Sequence, residues 1–319
     1  MVLTLIIINQ NSLGRMIVYR NLNIKKKHKD SVVAIGNFDG LHIGHQKVIK
    51  EAKKKAKNKN LKFGLITFEP VPTMFFNKRI QNHRINSLNQ KIYFLKKIEI
   101  DFLLIINFNK LFSNLSAEEF IKKILFKKLK SKYIFVSRNF KFGRKRIGDI
   151  KTLKNFEKKY SYETVVTSPH KKKNKIISSS LIRKNIYKGF VEETKKLLGR
   201  SWCVEGKVIK GEQRGRKIGF PTCNIKLNPY TLPKLGVYSV WVQINDLRKR
   251  GIANIGYRPT FNGKNLLLEV HIFGISRNLY NKILKISFIK FIRPEKKFKN
   301  ISQLKAQIKK DIISTTNNV

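Results

Sequence analysis

The stretch Val32-Val33-Ala34-Ile35-Gly36-Asn37-Phe38-Asp39-Gly40-Leu41-His42-Ile43-Gly44-His45 reads as a buried strand, a tight turn and the head of a helix. Four consecutive apolar residues, Val32–Ile35, fit a buried strand, and Gln46–Lys57 continues with helical spacing. The junction between them suits phosphate chemistry. A helix amino end offers free amide N–H groups and a positive dipole end. Gly40 and Gly44 let the backbone approach closely, and His42 and His45, three apart, both reach one phosphoryl group. There they would stabilise charge developing on an α-phosphate as pyrophosphate leaves. His42 and His45 are candidate catalytic residues, and Gly36, Phe38, Asp39, Gly40 and Gly44 candidate nucleotide-binding residues. The bland alternative is a pair of surface histidines beside a glycine turn. Neither GxxxxGK[ST] nor GxGxxG occurs in the chain.

Strand and helix alternate outward from this turn. Phe63–Phe68, Phe102–Ile106, Tyr133–Val136 and Thr164–Val166 read as strands, with helices over Leu88–Lys97 and around Thr152–Lys159. Ser116 and Glu119 form a capping box ahead of an apolar face of Phe120, Ile121, Ile124 and Leu125. This order predicts a doubly wound parallel sheet with ligands at the carboxyl ends of its strands. After about Arg200 the helices stop. Val204–Ile209, Gly236–Ile244, Gly251–Ile255, Leu266–Phe273 and Ile283–Ile292 are strand-like, the last carrying alternating Ile286, Phe288, Lys290 and Ile292. Turn signals at Asn228-Pro229, Asn245-Asp246 and Asn262-Gly263 separate them, so a closed or partly closed antiparallel barrel is expected. Ile301–Ile313 reads as a closing amphipathic helix. A polar helical connector, Tyr187–Arg200 with Gly199 near its end, divides an α/β domain over 16–186 from an all-β domain over 187–316. Residues 1–15 fit neither, and the run Met16–Asn23, which leads towards the first strand, offers a natural start of translation at Met16.

Composition narrows the class. The 319 residues suffice for two cores, and 41% apolar content with 22 Phe and 10 Tyr argues against disorder. The apolar runs Leu3–Ile8 and Phe102–Ile106 are far shorter than the roughly 20 residues of a membrane span. Two cysteines, Cys203 and Cys223, give no CxxC pair and no disulfide framework, which points to the cytoplasm; no His/Cys spacing suggests zinc. The net charge of +50 would attract polyanions, yet the lysines are scattered rather than striped. Drift in an A/T-rich genome explains the excess of Lys, Asn and Ile together; a dedicated polyanion-binding role is the alternative.

Two further segments carry candidate chemistry. In Ile177–Arg183, serines at a helix start either cap free N–H groups or, with Arg183, clamp phosphates. Gly211–Asn224 is dense in glycine and base: its amides, Arg216 and Lys217 suit phosphates, while Thr222 and Asn224 offer neutral oxygens to a hard cation. The alternative there is a mobile basic hairpin loop. Glu269, in an otherwise apolar strand, either faces solvent or serves as a general base.

The chain resembles the bacterial bifunctional riboflavin kinase/FMN adenylyltransferases, or FAD synthetases, from about Met16 to Asp311. The resemblance rests on an ordered set: Gly36–Gln46, Thr67-Phe68-Glu69-Pro70, Asn139-Phe140-Lys141-Phe142-Gly143, Ile177–Arg183, Gly211–Asn224, Asn254-Ile255-Gly256 with Pro259-Thr260-Phe261, and Leu268-Glu269-Val270-His271. It implies two ATP-dependent steps. In the barrel the riboflavin hydroxyl attacks the γ-phosphate of ATP, with Glu269 as base and Thr222 and Asn224 positioning Mg²⁺. Gly211, Gly215, Arg216, Gly219, Pro221 and Asn254 would bind the substrates. In the first domain the FMN phosphate attacks the α-phosphate of a second ATP. His42 and His45 would stabilise that transition state, and Asn139, Ser179, Ser180 and Arg183 would hold phosphates. Departures from the family pattern are Val71 for histidine, Ser137 for glycine, Ser180 for threonine and Tyr257 for a small residue. The expected partners are therefore small molecules (riboflavin, FMN and ATP), with no dedicated nucleic-acid partner, no membrane and at most weak self-association. A class I aminoacyl-tRNA synthetase shares a similar turn but would add a KMSKS-like loop and a tRNA-binding domain, and neither is visible.

Overall fold

The computed structural model of the chain describes residues 16–172, 175–260, 263–275 and 277–316. Residues 1–15, Phe261 of the last motif and Asn262 of the hairpin signal lie outside them. The chain forms two compact units: one from the stretch up to Arg79 with Leu88–Ile177, the other from Ile80–Ser87 with the stretch from Ser178 on.

The first unit contains β1 (Ile17–Tyr19), β2 (Val32–Ile35), α1 (Ile43–Asn58), β3 (Phe63–Glu69), α2 (Pro72–Phe76), α3 (Leu88–Lys97), β4 (Phe102–Asn107) and α4 (Lys110–Ser113). It continues through α5 (Ala117–Phe120), which runs on as a π-helix over Ile121–Lys128, then β5 (Tyr133–Ser137), α6 (Ile150–Asn155), α7 (Glu157–Tyr160) and β6 (Glu163–Thr167). A two-residue pair, β7 (Lys171–Lys172) with β8 (Lys175–Ile176), follows. Strands β1–β6 form one parallel sheet in the order β1-β4-β3-β2-β5-β6. Successive residues face opposite sides, as strand geometry requires. Val33, Ile35, Leu104 and Ile134 pack with Phe120, Ile121, Ile124 and Leu125, whereas Val32, Ala34, Leu65 and Leu103 pack with Ile49, Ala52 and Leu95. Both faces are covered, which is why the central strands read as unbroken apolar runs.

The expected doubly wound sheet is therefore present, with two corrections in detail. Met16–Asn23 does not lead directly into Val32–Ile35; Ile17–Tyr19 is itself a strand, pairing with β4 at the sheet edge and separated from β2 by β4 and β3. The helical stretch near Thr152 breaks at Phe156 into α6 and α7, and an Asp149–Thr152 capping box opens the first of them. The Ser116–Glu119 capping box forms as read.

The second unit begins with α8 (Ser179–Tyr187) and α9 (Val191–Leu198), the latter ended by Gly199 in the left-handed region at φ 72°. Its barrel comprises β9 (Cys203–Ile209), a short α10 (Arg214–Lys217), β10 (Cys223–Lys226), β11 (Gly236–Ile244), β12 (Leu247–Thr260), β13 (Gly263–Ile272) and β14 (Ile283–Arg293), before α11 (Ile301–Thr316). The antiparallel strands close in the order β10-β13-β12-β11-β14-β9. Two features were missed in the sequence: β10, which completes the ring, and the extension of β12 back to Leu247 through a two-residue turn at Asn245-Asp246. Leu284, Ile286 and Phe288 point into the barrel as their alternation predicts, but the pattern fades beyond Phe288 where the pairing with β11 shifts register.

Helix α11 is present but is less simply amphipathic than expected. Ile301 and Ile313 are exposed, and the contact with the barrel centres on buried Asp311. Arg293 at the end of β14 grips its carboxylate with two nitrogens, Nε to Oδ1 at 3.0 Å and Nη2 to Oδ2 at 2.8 Å. Removing one partner of such a buried pair costs about 3–5 kcal/mol.

Residues Ile80–Ser87, although early in the chain, are a strap of the second unit. Ile85 is fully buried, and its carbonyl accepts the indole N–H of Trp202 at 2.9 Å. The amides of His83 and Arg84 donate to the Pro229 carbonyl at 3.1 and 3.0 Å, and Thr231 Oγ1 donates to the His83 carbonyl at 2.9 Å. Ile85→Ala is expected to destabilise the barrel, not the parallel sheet, by about 2–5 kcal/mol. Both tryptophans, Trp202 and Trp241, belong to the second unit, so a fluorescence melt followed beside a calorimetric scan checks this. An unshifted tryptophan transition would refute it.

Candidate active sites

In the first unit the sheet order reverses between β2 and β5, and the two strands' carboxyl ends flank that switch point. The turn after β2 is unusual: Phe38, Gly40 and Leu41 all have left-handed backbone, at φ 46°, 82° and 43°. Only glycine adopts this readily; Phe38 and Leu41 are held there because both side chains are buried in the core. His42 then adopts extended backbone as the N-cap of α1, its Nδ1 accepting the His45 amide N–H at 3.2 Å. With Nδ1 so engaged, the neutral ring carries its proton on Nε2 as a donor.

The His42 and His45 rings stack with centroids 3.6 Å apart, and the Phe38 ring stands edge-on to His45 at 5.3 Å. A Cβ on Gly44 would lie 3.1 Å from the His42 ring and 3.4 Å from the Ile177 carbonyl, so glycine is what lets this layer form. His42 is not a surface histidine, being 5% exposed, and Asp39 is 4% exposed; His45 is half-buried. His45 Nδ1 is buried without a hydrogen-bond partner. Burial first, then the neighbouring His42 and Lys91, hold its imidazole well below the usual histidine range. Asn139 lies exposed in the turn after β5, ahead of a Phe140–Phe142 stack. Ser178 takes the capping role, accepting from the Leu181 amide at 3.2 Å; Ser179 and Ser180 are the first residues of α8, and Arg183 lies one turn on, in the second unit.

The second candidate site lies on the outer wall of the barrel. Strand register places Asn224 of β10 opposite Glu269 of β13, and Glu269 opposite Asn254 of β12, in one row across three strands. Their neighbours Ile225, Leu268, Val270, Ala253 and Ile255 fill the interior, so the row faces outward. Gly211–Pro221 folds against it. A Cβ on Gly211 would meet Asn224 Nδ2 at 1.9 Å, and one on Gly215 the Phe220 carbonyl at 2.4 Å and Thr222 Oγ1 at 3.3 Å. Gly219, at φ 88°, turns the chain towards Pro221, whose carbonyl lies 2.8 Å from His271 Nδ1. Arg216, Lys217 and Thr222 are exposed at the loop surface; Asn224 is buried, and its Oδ1 has no hydrogen-bond partner.

Comparison with known proteins also divides the chain in two. A family model described as FAD synthetase matches residues 24–181, and one described as riboflavin kinase matches residues 198–319. A bifunctional riboflavin kinase/FMN adenylyltransferase of Buchnera aphidicola (subsp. Schizaphis graminum) is 42% identical over 91% of this chain and 94% of its own. This chain belongs to that family. The Escherichia coli K12 member is 34% identical over 88% of this chain and 90% of its own. A crystal structure described as a macrolide-efflux protein from Streptococcus pneumoniae has a TM-score of 0.84 at 31% identity, covering 96% of this chain and 100% of that one. Among the described residues of this family member, no helix is long and apolar enough to cross a membrane.

Of the departures from the family pattern, Val71 is buried just ahead of Pro72 in α2, Ser137 is the exposed last residue of β5, and Tyr257 is exposed on β12. Sequence reasoning missed two features near the first site. One is an aromatic group at the carboxyl ends of β3 and β4, where Phe68, Phe75, Phe76, Phe108 and Phe112 meet with centroids 5.3–6.1 Å apart and Phe76 69% exposed. The pairing of Phe75-Phe76 with Phe108 and Phe112, each just past a strand, was the available signal. The other is Lys91, buried in α3 on the face that also carries Leu95.

The depressed His45 gives a pH dependence with a definite sign. Its unfolded imidazole titrates near 6.5 and the folded one lower, so the stability it carries is full above pH 6.5 and falls as pH drops through the folded value. His28, also lowered by burial and then by Lys27, acts in the same direction. Calorimetric melts should show the first unit losing stability between about pH 7 and 5, and His45→Asn should flatten that loss in part. A variant slope equal to that of the unaltered chain would refute the assignment.

Proposed function

We propose that each unit performs one phosphoryl-chemistry step, the barrel (within 187–316) making FMN from riboflavin and ATP and the parallel-sheet domain (within 16–186) making FAD from FMN and a second ATP. What carries this reading is that each unit holds its own glycine-rich turn against polar side chains: buried His42 with half-buried His45 in one, buried Asn224 in a row with half-buried Glu269 and Asn254 in the other.

In the kinase step Glu269 accepts the proton of the riboflavin hydroxyl as its oxygen bonds to the γ-phosphorus and the bond to ADP breaks. Gly211, Gly215, Arg216, Gly219, Pro221 and Asn254 contact the substrates. Among the described residues no group of three or more His, Cys, Asp or Glu is arranged to hold a metal. A cation would therefore rest on neutral oxygens and substrate phosphates, and the unpartnered, buried Asn224 Oδ1 beside Thr222 fits a hard one such as Mg²⁺. Bound there, Mg²⁺ would supply neutralisation of phosphate charge.

In the adenylyl step an FMN phosphate oxygen bonds to the α-phosphorus while the bond to pyrophosphate breaks. No proton has to move, so placement and charge carry the rate. The Nε2–H of His42, with His45 and the free amides of α1, faces the charge that develops. Gly36, Phe38, Asp39, Gly40 and Gly44 accommodate the nucleotide, Asn139 holds phosphate, and the aromatic group around Phe76 offers a stacking surface for the flavin ring; the phosphate-holding roles of Ser179, Ser180 and Arg183 rest on the family resemblance alone. We read the partners as these small molecules in the cytoplasm, without a dedicated nucleic-acid partner and with at most weak self-association. Neither Cys203 nor Cys223 forms a disulfide, and burial pushes both thiols up to about 11.

Incubation with riboflavin, ATP and Mg²⁺, followed by chromatography of the flavins, should show FMN and then FAD. His42→Ala should abolish FAD while FMN accumulates, with a loss of about 10²–10³-fold in the second step. Glu269→Ala should block FMN formation yet leave supplied FMN convertible to FAD. Loss of both steps from either single change would overturn the two-site assignment.

A further inference from the structure

The buried ammonium of Lys91 has no part in the chemistry set out above. It is 1% exposed in α3, and its Nζ donates to the Asn37 carbonyl oxygen at 2.7 Å and to Thr67 Oγ1 at 3.2 Å. Thr67 Oγ1 itself donates to the same carbonyl at 3.2 Å. Helix α3, strand β3 and the turn after β2 thus converge on one backbone oxygen. Burying an ammonium costs several kcal/mol, and an aliphatic side chain of similar volume at this helix position would avoid that cost. The ammonium lies at the root of the phosphate turn. Asn37 immediately precedes Phe38, where the left-handed run begins. Such backbone persists only where its surroundings over-determine it.

We propose that Lys91 is a positioning residue for adenylyl transfer: by gripping the Asn37 carbonyl it fixes the turn that presents His42, His45 and the α1 amides to one phosphorus, and its fixed charge backs them. This rests on the adenylyltransferase reading of that turn. The field of the ammonium reaches the histidines, since Lys91 contributes to the lowering of His45. As negative charge passes from the attacking oxygen to pyrophosphate, a positive charge already in place needs no reorganisation.

Lys91→Ala in the full chain tests this, with FMN and ATP supplied and, separately, with riboflavin and ATP. The kcat for FAD formation should fall about 100-fold, with KM for FMN moving less than about threefold, while riboflavin phosphorylation and the melting of both units are retained. Propylammonium added to Lys91→Ala should restore much of the FAD rate, and propanol, equal in size but uncharged, should not. Lys91→Met, which keeps the volume, should be as slow and should not respond to the amine. Unchanged FAD rates, equal rescue by propanol, or loss of the first unit's melting transition would make Lys91 a packing residue and overturn the proposal. If the unaltered chain makes FMN but converts none of it to FAD, the adenylyltransferase reading fails first and the proposal falls with it.

Discussion

The free amides at the head of α1 impose the constraint on which the first unit depends. Four N–H groups at a helix start need acceptors, and here a histidine ring supplies one, so His42 must sit with its ring folded over the first turn. That ring crowds any side chain at Gly44 and stacks on His45. Reaching His42 from the end of β2 in so few residues forces the left-handed backbone of Phe38, Gly40 and Leu41, which is paid for by sinking Phe38 and Leu41 into the core. Cap, turn, core and site are one arrangement.

The barrel solves a related problem differently. Here a glycine-rich loop, rather than the head of a long helix, is pressed against side chains held in strand register. The four-residue β10 both closes the ring between β9 and β13 and carries Asn224 into the row beside Glu269. Closure and site share the same few residues, so a defect in one would be felt in the other. At the opposite extreme, Arg293 and Asp311 secure α11 by a paired charge where apolar contact is sparse.

How far this was legible follows from where the information lies. The parallel sheet was readable because its central strands are local apolar runs and some helices announce themselves by a cap, as Ser116–Glu119 shows. The histidine turn was readable because its spacing fixes its geometry. Strand β10 was missed because Cys223–Lys226 is short, follows Gly219–Pro221, and is defined only by partners at Ile209 and Glu269. Lys91 was hidden for the opposite reason: in a chain so rich in lysine, one on a helix looks like any other until its burial is seen. The aromatic group and the bond from Trp202 to Ile85 arise between distant segments, and no local pattern announces them.

That last bond also bears on the chain as it is made. Ile85 and Trp202 are 117 residues apart, so at about 5–20 residues per second the strap leaves the ribosome roughly 6–23 s before its partner exists. During that interval a fully apolar side chain and a run of unpaired amides must wait in the open, flanked by a sheet whose own strands are already available to fold. A gene cut once at the connector would leave the second unit without its strap, so the two halves of this chain are joined in folding as well as in sequence.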